Sequence, residues 1–330
     1  MTPKFILCPG QGAQTVGMGK AWFDASPEAR AVFHAADKAL GDRLGGRLSE
    51  MCFGGPAERL NQTDVSQPAI YAASVACWRG LLAVWGTKGA DGGAIAGANV
   101  LATAGLSLGE YTALHLAGAF SFEDGLELVA LRGRAMQEAA DVLRLADGTP
   151  GSGMVALIGA DEAQAQQLCN QVRGLDVLVP ANFNAPGQIV ISGSIAACRR
   201  AAEAAGAMGL RATALAVAGA FHSPLMQPAA DTLASALKGT KIQPPICPVA
   251  SNVTGGVHGV DGELGGLSVA DSIRRRLVEQ LTMPVRWAQN CEFVTTTYPA
   301  EAHELAPGKT LAGLMRRINK AVKVETHDEP

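Results

Sequence analysis

The sequence predicts an α/β fold with a small unit inserted into a larger one. Three observations predict it. Apolar runs of strand length alternate with amphipathic helical stretches, the pattern of strands covered by helices. Gly105-Leu106-Ser107-Leu108-Gly109 has the form G-x-S-x-G and lies between a strand pattern and a helix pattern. After Asp147-Gly148-Thr149-Pro150-Gly151-Ser152-Gly153, the clearest linker in the chain, the order of elements changes.

In chain order, Lys4-Phe5-Ile6-Leu7-Cys8 reads as the first strand and leads into Pro9-Gly10-Gln11-Gly12-Ala13-Gln14. This glycine-rich loop is not a nucleotide site. A P-loop would need glycine where Gln14 stands and Ser or Thr where Ala21 follows Lys20, and a dinucleotide fingerprint would need glycine at Thr15. Residues 21–40 and 66–85 read as amphipathic helices, separated by the break Gly54-Gly55-Pro56 and a short helix at Glu58-Arg59-Leu60. Residues 99–104 are short and apolar enough for a buried strand, and 111–118 form a helix pattern ending in glycine. Phe122 to Ala146 reads as one long helix, with Arg132 and Arg134 in a stretch otherwise apolar on one face.

Beyond the linker, Met154–Ile158 reads as a strand, 161–173 as a helix, Asp176–Val179 and Ile189–Ser192 as strands, 194–208 as a helix and Leu210–Val217 as a strand. That β-α-β-β-α-β order is the ferredoxin-like unit. It predicts a small subdomain at 151–216 within a large domain made of 1–150 and 217–330. The chain returns through Gly219-Ala220-Phe221-His222-Ser223-Pro224-Leu225-Met226 and continues with strands and helices around 249–252, 268–282 and 304–309. The tail after about Lys320 is polar and reads as loose.

The context of Ser107 is what gives the motif its force. A strand, a sharp turn and a helix would hold the serine oxygen at a helix N-terminus, where free amides can stabilise an oxyanion. The plainer alternative is an N-cap serine. The serine needs a base, and six histidines are available. His34 and His115 fall inside helices, and His115 lies about two turns past the serine, too far to reach back. His258 sits in a glycine-rich loop and His327 in the tail. His222 precedes Pro224 in a sharp apolar turn, the sort of rigid loop that holds a base. Serine before histidine is the order of α/β-hydrolase-like acyl-transfer enzymes, which usually place an acid between the two. No Asp or Glu stands out for that role, so a neutral group would orient the histidine.

Composition sets the outer limits. The chain has 330 residues, 48% hydrophobic and 17% charged, enough for one large core or two domains. A net charge of −3 gives no support for a nucleic-acid or membrane-surface role. The uncharged stretch 92–109 holds too many glycines and polar residues for a membrane span. The seven cysteines are scattered and never in C-x-x-C, which reads as packed, reduced thiols in a cytoplasmic protein with no metal site. The N-terminus has too short an apolar run for a signal peptide.

Five segments in series carry a resemblance: Pro9–Gln14, Gly105–Glu110, Asn182-Phe183-Asn184-Ala185-Pro186-Gly187-Gln188, Gly219–Met226 and Gln280-Leu281-Thr282-Met283-Pro284-Val285-Arg286-Trp287. Over residues 4 to 318 the chain resembles the malonyl-CoA:acyl carrier protein transacylases. The resemblance implies an α/β-hydrolase-like domain with a ferredoxin-like insertion. It implies a cofactor-free acyltransferase with malonyl-CoA, a coenzyme A thioester, as substrate and acyl carrier protein as partner. It leans towards a monomer. It also implies that Ser107 carries the malonyl ester and His222 shuttles the proton, oriented by the backbone carbonyl of Gln280. The amides of Gln11 and Leu108 would form the oxyanion hole, and Arg132 would pair with the malonyl carboxylate. Asn182 or Asn184 would give polar support near the cleft, with turn formation before Pro186 as their alternative role. Phe221, just before the histidine, points to malonyl over methylmalonyl. Arg274-Arg275-Arg276 and Arg316-Arg317 are candidates to receive an acidic carrier.

Two departures stand out. The family usually has histidine before the nucleophile, and here Leu106 takes that place, which alters the polarity of the pocket. Extra residues lie near Gly89 to Gly97. The competing readings are a serine esterase or thioesterase on the same elbow, an acyltransferase serving a polyketide pathway, and a non-catalytic carrier-docking protein. The esterase would want an acid partner and no carboxylate-binding arginine. The docking protein would be expected to have lost Ser107 or His222, and both are present.

Overall fold

In the computed structural model, which describes residues 2–87, 95, 97–259 and 266–330, two four-stranded sheets organise the chain. The extra residues at 89–97 fall mostly outside the described residues. The first sheet is parallel, in the order β2-β1-β7-β8, from β1 (Lys4–Cys8), β2 (Val100–Gly105), β7 (Glu301–Leu305) and β8 (Val324–His327). Side chains of β1 alternate between its faces. Ile6 and Cys8 enter one core and Phe5 and Leu7 another. A strand buried on both faces reads as a continuous apolar run, and this one does.

Helices α1 (Lys20–Ala25), α2 (Pro27–Leu40), α3 (Leu48–Gly54), α4 (Ala57–Leu60) and α5 (Thr63–Val84) follow β1. The single helix expected over 21–40 is two. Ser26 caps α2 by accepting from the Ala29 amide, and Pro27 takes its first position. After β2 come α6 (Gly109–Leu116) and α7 (Phe122–Asp141). Glycines bring α7 close to α5: a Cβ at Gly133 would lie 2.5 Å from the Thr63 carbonyl oxygen.

The second sheet is antiparallel, in the order β4-β5-β3-β6, from β3 (Ser152–Ile158), β4 (Leu178–Ala185), β5 (Gln188–Ser194) and β6 (Arg211–Ala214). With α8 (Glu162–Val172) and α9 (Ile195–Ala205) it gives the βαββαβ order read from the sequence, packed on its own apolar cluster. The strand expected at Asp176–Val179 starts later and runs further, so Asn182 and Asn184 lie in β4 and not in a turn. Backbone bonds explain the extension. The Phe183 amide donates to the Val285 carbonyl and the Val285 amide to the Ala181 carbonyl, so a distant loop holds this stretch extended.

Helices α10 (Gln227–Gly239), α11 (Val269–Glu279), α12 (Trp287–Thr297) and α13 (Thr310–Ile318) complete the chain. The loose tail expected after Lys320 is corrected. It forms β8, paired in parallel with β7, and the His327 carbonyl accepts hydrogen bonds from the Trp22 indole and the Cys77 thiol. Four residues, two of them exposed on an edge strand, carry too little apolar pattern to announce a strand.

Candidate active site

The turn between β2 and α6 holds Ser107 at φ 52°, a left-handed conformation rare for a residue with a side chain. Its flanking glycines are required for contact as much as for the bend. A Cβ on Gly105 would lie 1.9 Å from Gly109 backbone atoms, and one on Gly109 would lie 2.1 Å from the Cys8 carbonyl oxygen. The elbow is held from outside by Asn252. Its Oδ1 accepts from the Ser107 amide at 2.6 Å and its Nδ2 donates to the Gly105 carbonyl at 2.8 Å.

His222 also has positive φ, at 56°, and its ring is buried. Nδ1 lies 2.7 Å from the Gln280 carbonyl oxygen, and Nε2 lies 2.9 Å from Ser107 Oγ. A carbonyl only accepts, so Nδ1 carries the hydrogen and Nε2 presents a lone pair to the serine hydroxyl. Gln280 is the C-cap of α11, and the last carbonyls of a helix have no partner of their own. The helix end therefore supplies the neutral acceptor expected in place of an acid. Burial, and next the positive charge of Arg132, lower the His222 pKa to about 4, against the smaller upward pull of the carbonyl. The imidazole is neutral at pH 7.

Arg132 lies on the buried stripe of α7, in register with Gly125, Leu128, Val129 and Met136. Its NH2 group donates to Ser107 Oγ at 3.1 Å and to Gln280 Oε1 at 3.0 Å, and NH1 donates to Gln67 Oε1 at 2.8 Å. It is 1% exposed, Nε is without a partner, and among the described residues no carboxylate lies within ion-pair distance of it. Its direct hydrogen-bond partners are all neutral, and the Glu110 carboxylate acts on it only through space, an arrangement that can attract an anion.

The amides of Gln11 and Leu108 lie at the ends of β1 and the elbow, and among the described residues neither donates to a protein acceptor. The two loops touch: a Cβ on Gly10 would lie 2.3 Å from the Leu106 carbonyl oxygen. The structure thus unites Ser107, His222, Gln280 and Arg132 in one hydrogen-bonded group. No hydrogen bond ties Asn182 or Asn184 to it among the described residues, and Asn184 Oδ1 is buried without a partner.

Sequence reasoning missed a supporting layer. Glu110 Oε2 accepts from Gln280 Nε2 at 2.6 Å, and Glu110 Oε1 lies 2.6 Å from His258 Nε2. Gln280 Nε2 also donates to the Ser107 carbonyl. Asn252 joins Asn290, whose Nδ2 donates to the Ser251 carbonyl. Glu110 stood inside the elbow motif, a usable signal. His258 had none, because its glycine-rich loop reads as surface.

A family described as the acyl transferase domain matches residues 5–312. The malonyl CoA-acyl carrier protein transacylase of Escherichia coli strain K12 is 39% identical over 331 residues, covering 100% of this chain and 97% of the relative. The chain belongs to the malonyl-CoA:acyl carrier protein transacylase family. Among solved structures, the transacylase from Xanthomonas oryzae pv. oryzae superposes with a TM-score of 0.85 at 37% identity, covering 100% of this chain and 96% of that one. A malonyl-transacylase in complex with its type II PKS acyl-carrier protein superposes with a TM-score of 0.86 at 36% identity, covering 100% and 97%. Leu106, the residue before Ser107, is half-buried beside the elbow.

Proposed function

We infer that this enzyme moves a malonyl group from malonyl-CoA to the phosphopantetheine thiol of acyl carrier protein through an ester on Ser107. One observation carries the reading: Ser107 Oγ lies within hydrogen-bond reach of both a neutral imidazole and a buried arginine that has no carboxylate partner among the described residues.

The hydroxyl attacks the thioester carbonyl while His222 Nε2 takes its proton. The oxyanion is met by the amides of Leu108 and Gln11. Coenzyme A leaves as its sulfur regains a proton from His222. The carrier thiol then gives its proton to His222 and attacks the ester, restoring the serine. The carbonyl of Gln280 steadies the ring and the transient imidazolium in both halves. Donor and product are both thioesters, so the overall transfer has almost no net driving force, and the same base serves both halves. Arg132 turns towards the malonyl carboxylate. Asn182 and Asn184 line the approach as polar support, and Phe221 favours malonyl over a branched acyl group.

The same reading takes 1–150 with 217–330 as the acyltransferase body and 151–216 as its inserted subdomain, supported by the separate apolar cluster under the antiparallel sheet. The enzyme needs no cofactor and works in the cytoplasm as a monomer. No helix among the described residues is long and apolar enough to cross a membrane. The carrier belongs to fatty acid synthesis; the likeness to a polyketide transacylase makes a polyketide carrier the second reading.

Intact-protein mass after brief exposure to malonyl-CoA tests the function. A malonyl adduct is expected, removed by phosphopantetheinylated carrier protein and not by water at the same rate. Loss to water alone would make the enzyme a hydrolase, and labelling of Ser107→Ala would refute the nucleophile. In Arg132→Ala the preference for malonyl over acetyl should fall by about 10- to 100-fold, the worth of a charged hydrogen bond of about 1.5–3 kcal/mol.

A further inference from the structure

His303 on β7 and Glu325 and His327 on β8 share one face of the parallel sheet. The register sets His303 against Glu325 and Leu305 against His327, and residues two apart on a strand point the same way. His303 Nδ1 lies 3.0 Å from His327 Nε2 and 3.6 Å from Glu325 Oε2, and one ligand atom from each of the three residues lies within 4.8 Å of the other two. Both imidazoles are buried, at 4% and 7% exposure, while the Glu325 side chain reaches solvent at 68%.

We propose that His303, Glu325 and His327 bind one divalent transition-metal ion of the zinc class, stapling β8 to β7. A tetrahedral centre with bonds of about 2.0–2.1 Å spaces its ligands about 3.4 Å apart, and the separations of His303 Nδ1 from His327 and from Glu325 bracket that value. Two imidazoles and a carboxylate suit zinc, cobalt or nickel better than magnesium or calcium. Three protein ligands leave a fourth position for water, on the side where Glu325 opens to solvent. The neighbouring charges are mixed: the carboxylates of Glu325 and Glu301 favour a cation near His303 and the Lys4 ammonium opposes it. Trp85 packs its ring edge-on to both imidazoles, with centroids 5.3 and 6.3 Å away, and so reports on the site.

The test uses the untagged full chain, stripped with EDTA and titrated with Co²⁺ alone and then Zn²⁺ alone. The expected result is tryptophan quenching by Co²⁺ that saturates at one equivalent, with the visible d–d bands of a four-coordinate ion, reversal by Zn²⁺, and a Tm raised by saturating Zn²⁺. Glu325→Gln, an exposed change that leaves the core alone, should weaken binding at least about tenfold, and His327→Gln should abolish it. No saturable binding in the parent chain, or equal binding in Glu325→Gln and the parent, would overturn the proposal.

Discussion

His222 is the residue whose charge decides whether Ser107 can react. Its neutral form accepts the serine proton and its protonated form does not. Burial and Arg132 hold its pKa at about 4, below the usual 6.5 of histidine, so the acid limb of malonyl loading should fall near pH 4 and not near 6.5. In Arg132→Ala one of the two causes is gone, and the limb should move up towards the ordinary value. Single-turnover loading rates against pH, with circular dichroism to verify folding, give the answer; a parent limb at 6.5 would contradict the assigned environment. The same shift has a stability sign. A depressed pKa means the unfolded chain binds the proton first, so His222 contributes stability above about pH 6.5 that is lost as the pH falls to about 4. The buried His115, also lowered to about 4, adds to that acid lability. At this scale much was legible. Ser107 is marked by its glycines, and Arg132 is a charge at a position where helical spacing calls for an apolar residue. His222 emerged from its rigid apolar turn once His34, His115, His258 and His327 were set aside. The Glu110–His258 pair was not legible: 148 residues separate the partners, and no local pattern encodes that contact.

Elements place these side chains by their ends. The N-terminus of α6 carries the serine, and the C-terminus of α11 carries the carbonyl that turns the histidine. A third helix end shows how the fold meets the same need without catalysis. Glu304, the fourth residue of β7, is buried, and its two oxygens accept from the Leu311 amide at 2.8 Å and the Ala312 amide at 2.7 Å. These amides belong to the first turn of α13, which has no side-chain cap of its own. Glu304→Ala leaves both donors buried and unpaired. It should cost about 2–4 kcal/mol, taking about 1–3 for each orphaned group with partial relaxation. A urea unfolding midpoint checks this, and a change under about 0.5 kcal/mol would mean that water replaces the carboxylate. Helix and strand existence was legible from periodicity, while lengths were set by partners. The sequence stopped β4 too early because the bonds that extend it come from Val285, more than a hundred residues away.

Over the whole molecule, the chain closes on itself at its C-terminal end. β8 joins β7 at the sheet edge, while the His327 carbonyl reaches back to Trp22 of α1 and Cys77 of α5, 305 and 250 residues earlier in sequence. A tail that reads as dispensable is thus bonded to the first and fifth helices and to the central sheet. Removing residues 320–330 would strip β7 of one of its two neighbours, uncover Trp85, and leave the fully buried Trp22 indole without an acceptor. The orphaned donor alone costs about 1–3 kcal/mol, and the lost ladder and ring burial add to it. Against a typical domain stability of about 5–15 kcal/mol, the truncated chain should lose at least about 3 kcal/mol and unfold at markedly lower urea. A shorter deletion, residues 328–330, separates the strand from mere length, because it spares β8 and, among the described residues, removes one hydrogen bond, from the Gly308 amide to Asp328. It should stay within about 1 kcal/mol of the parent, the worth of one exposed hydrogen bond. Equal stability of the parent and the longer truncation would show that β8 adds nothing to the fold. A large loss confined to the longer truncation would place the end of the chain among the elements that hold the N-terminal helices against the sheet.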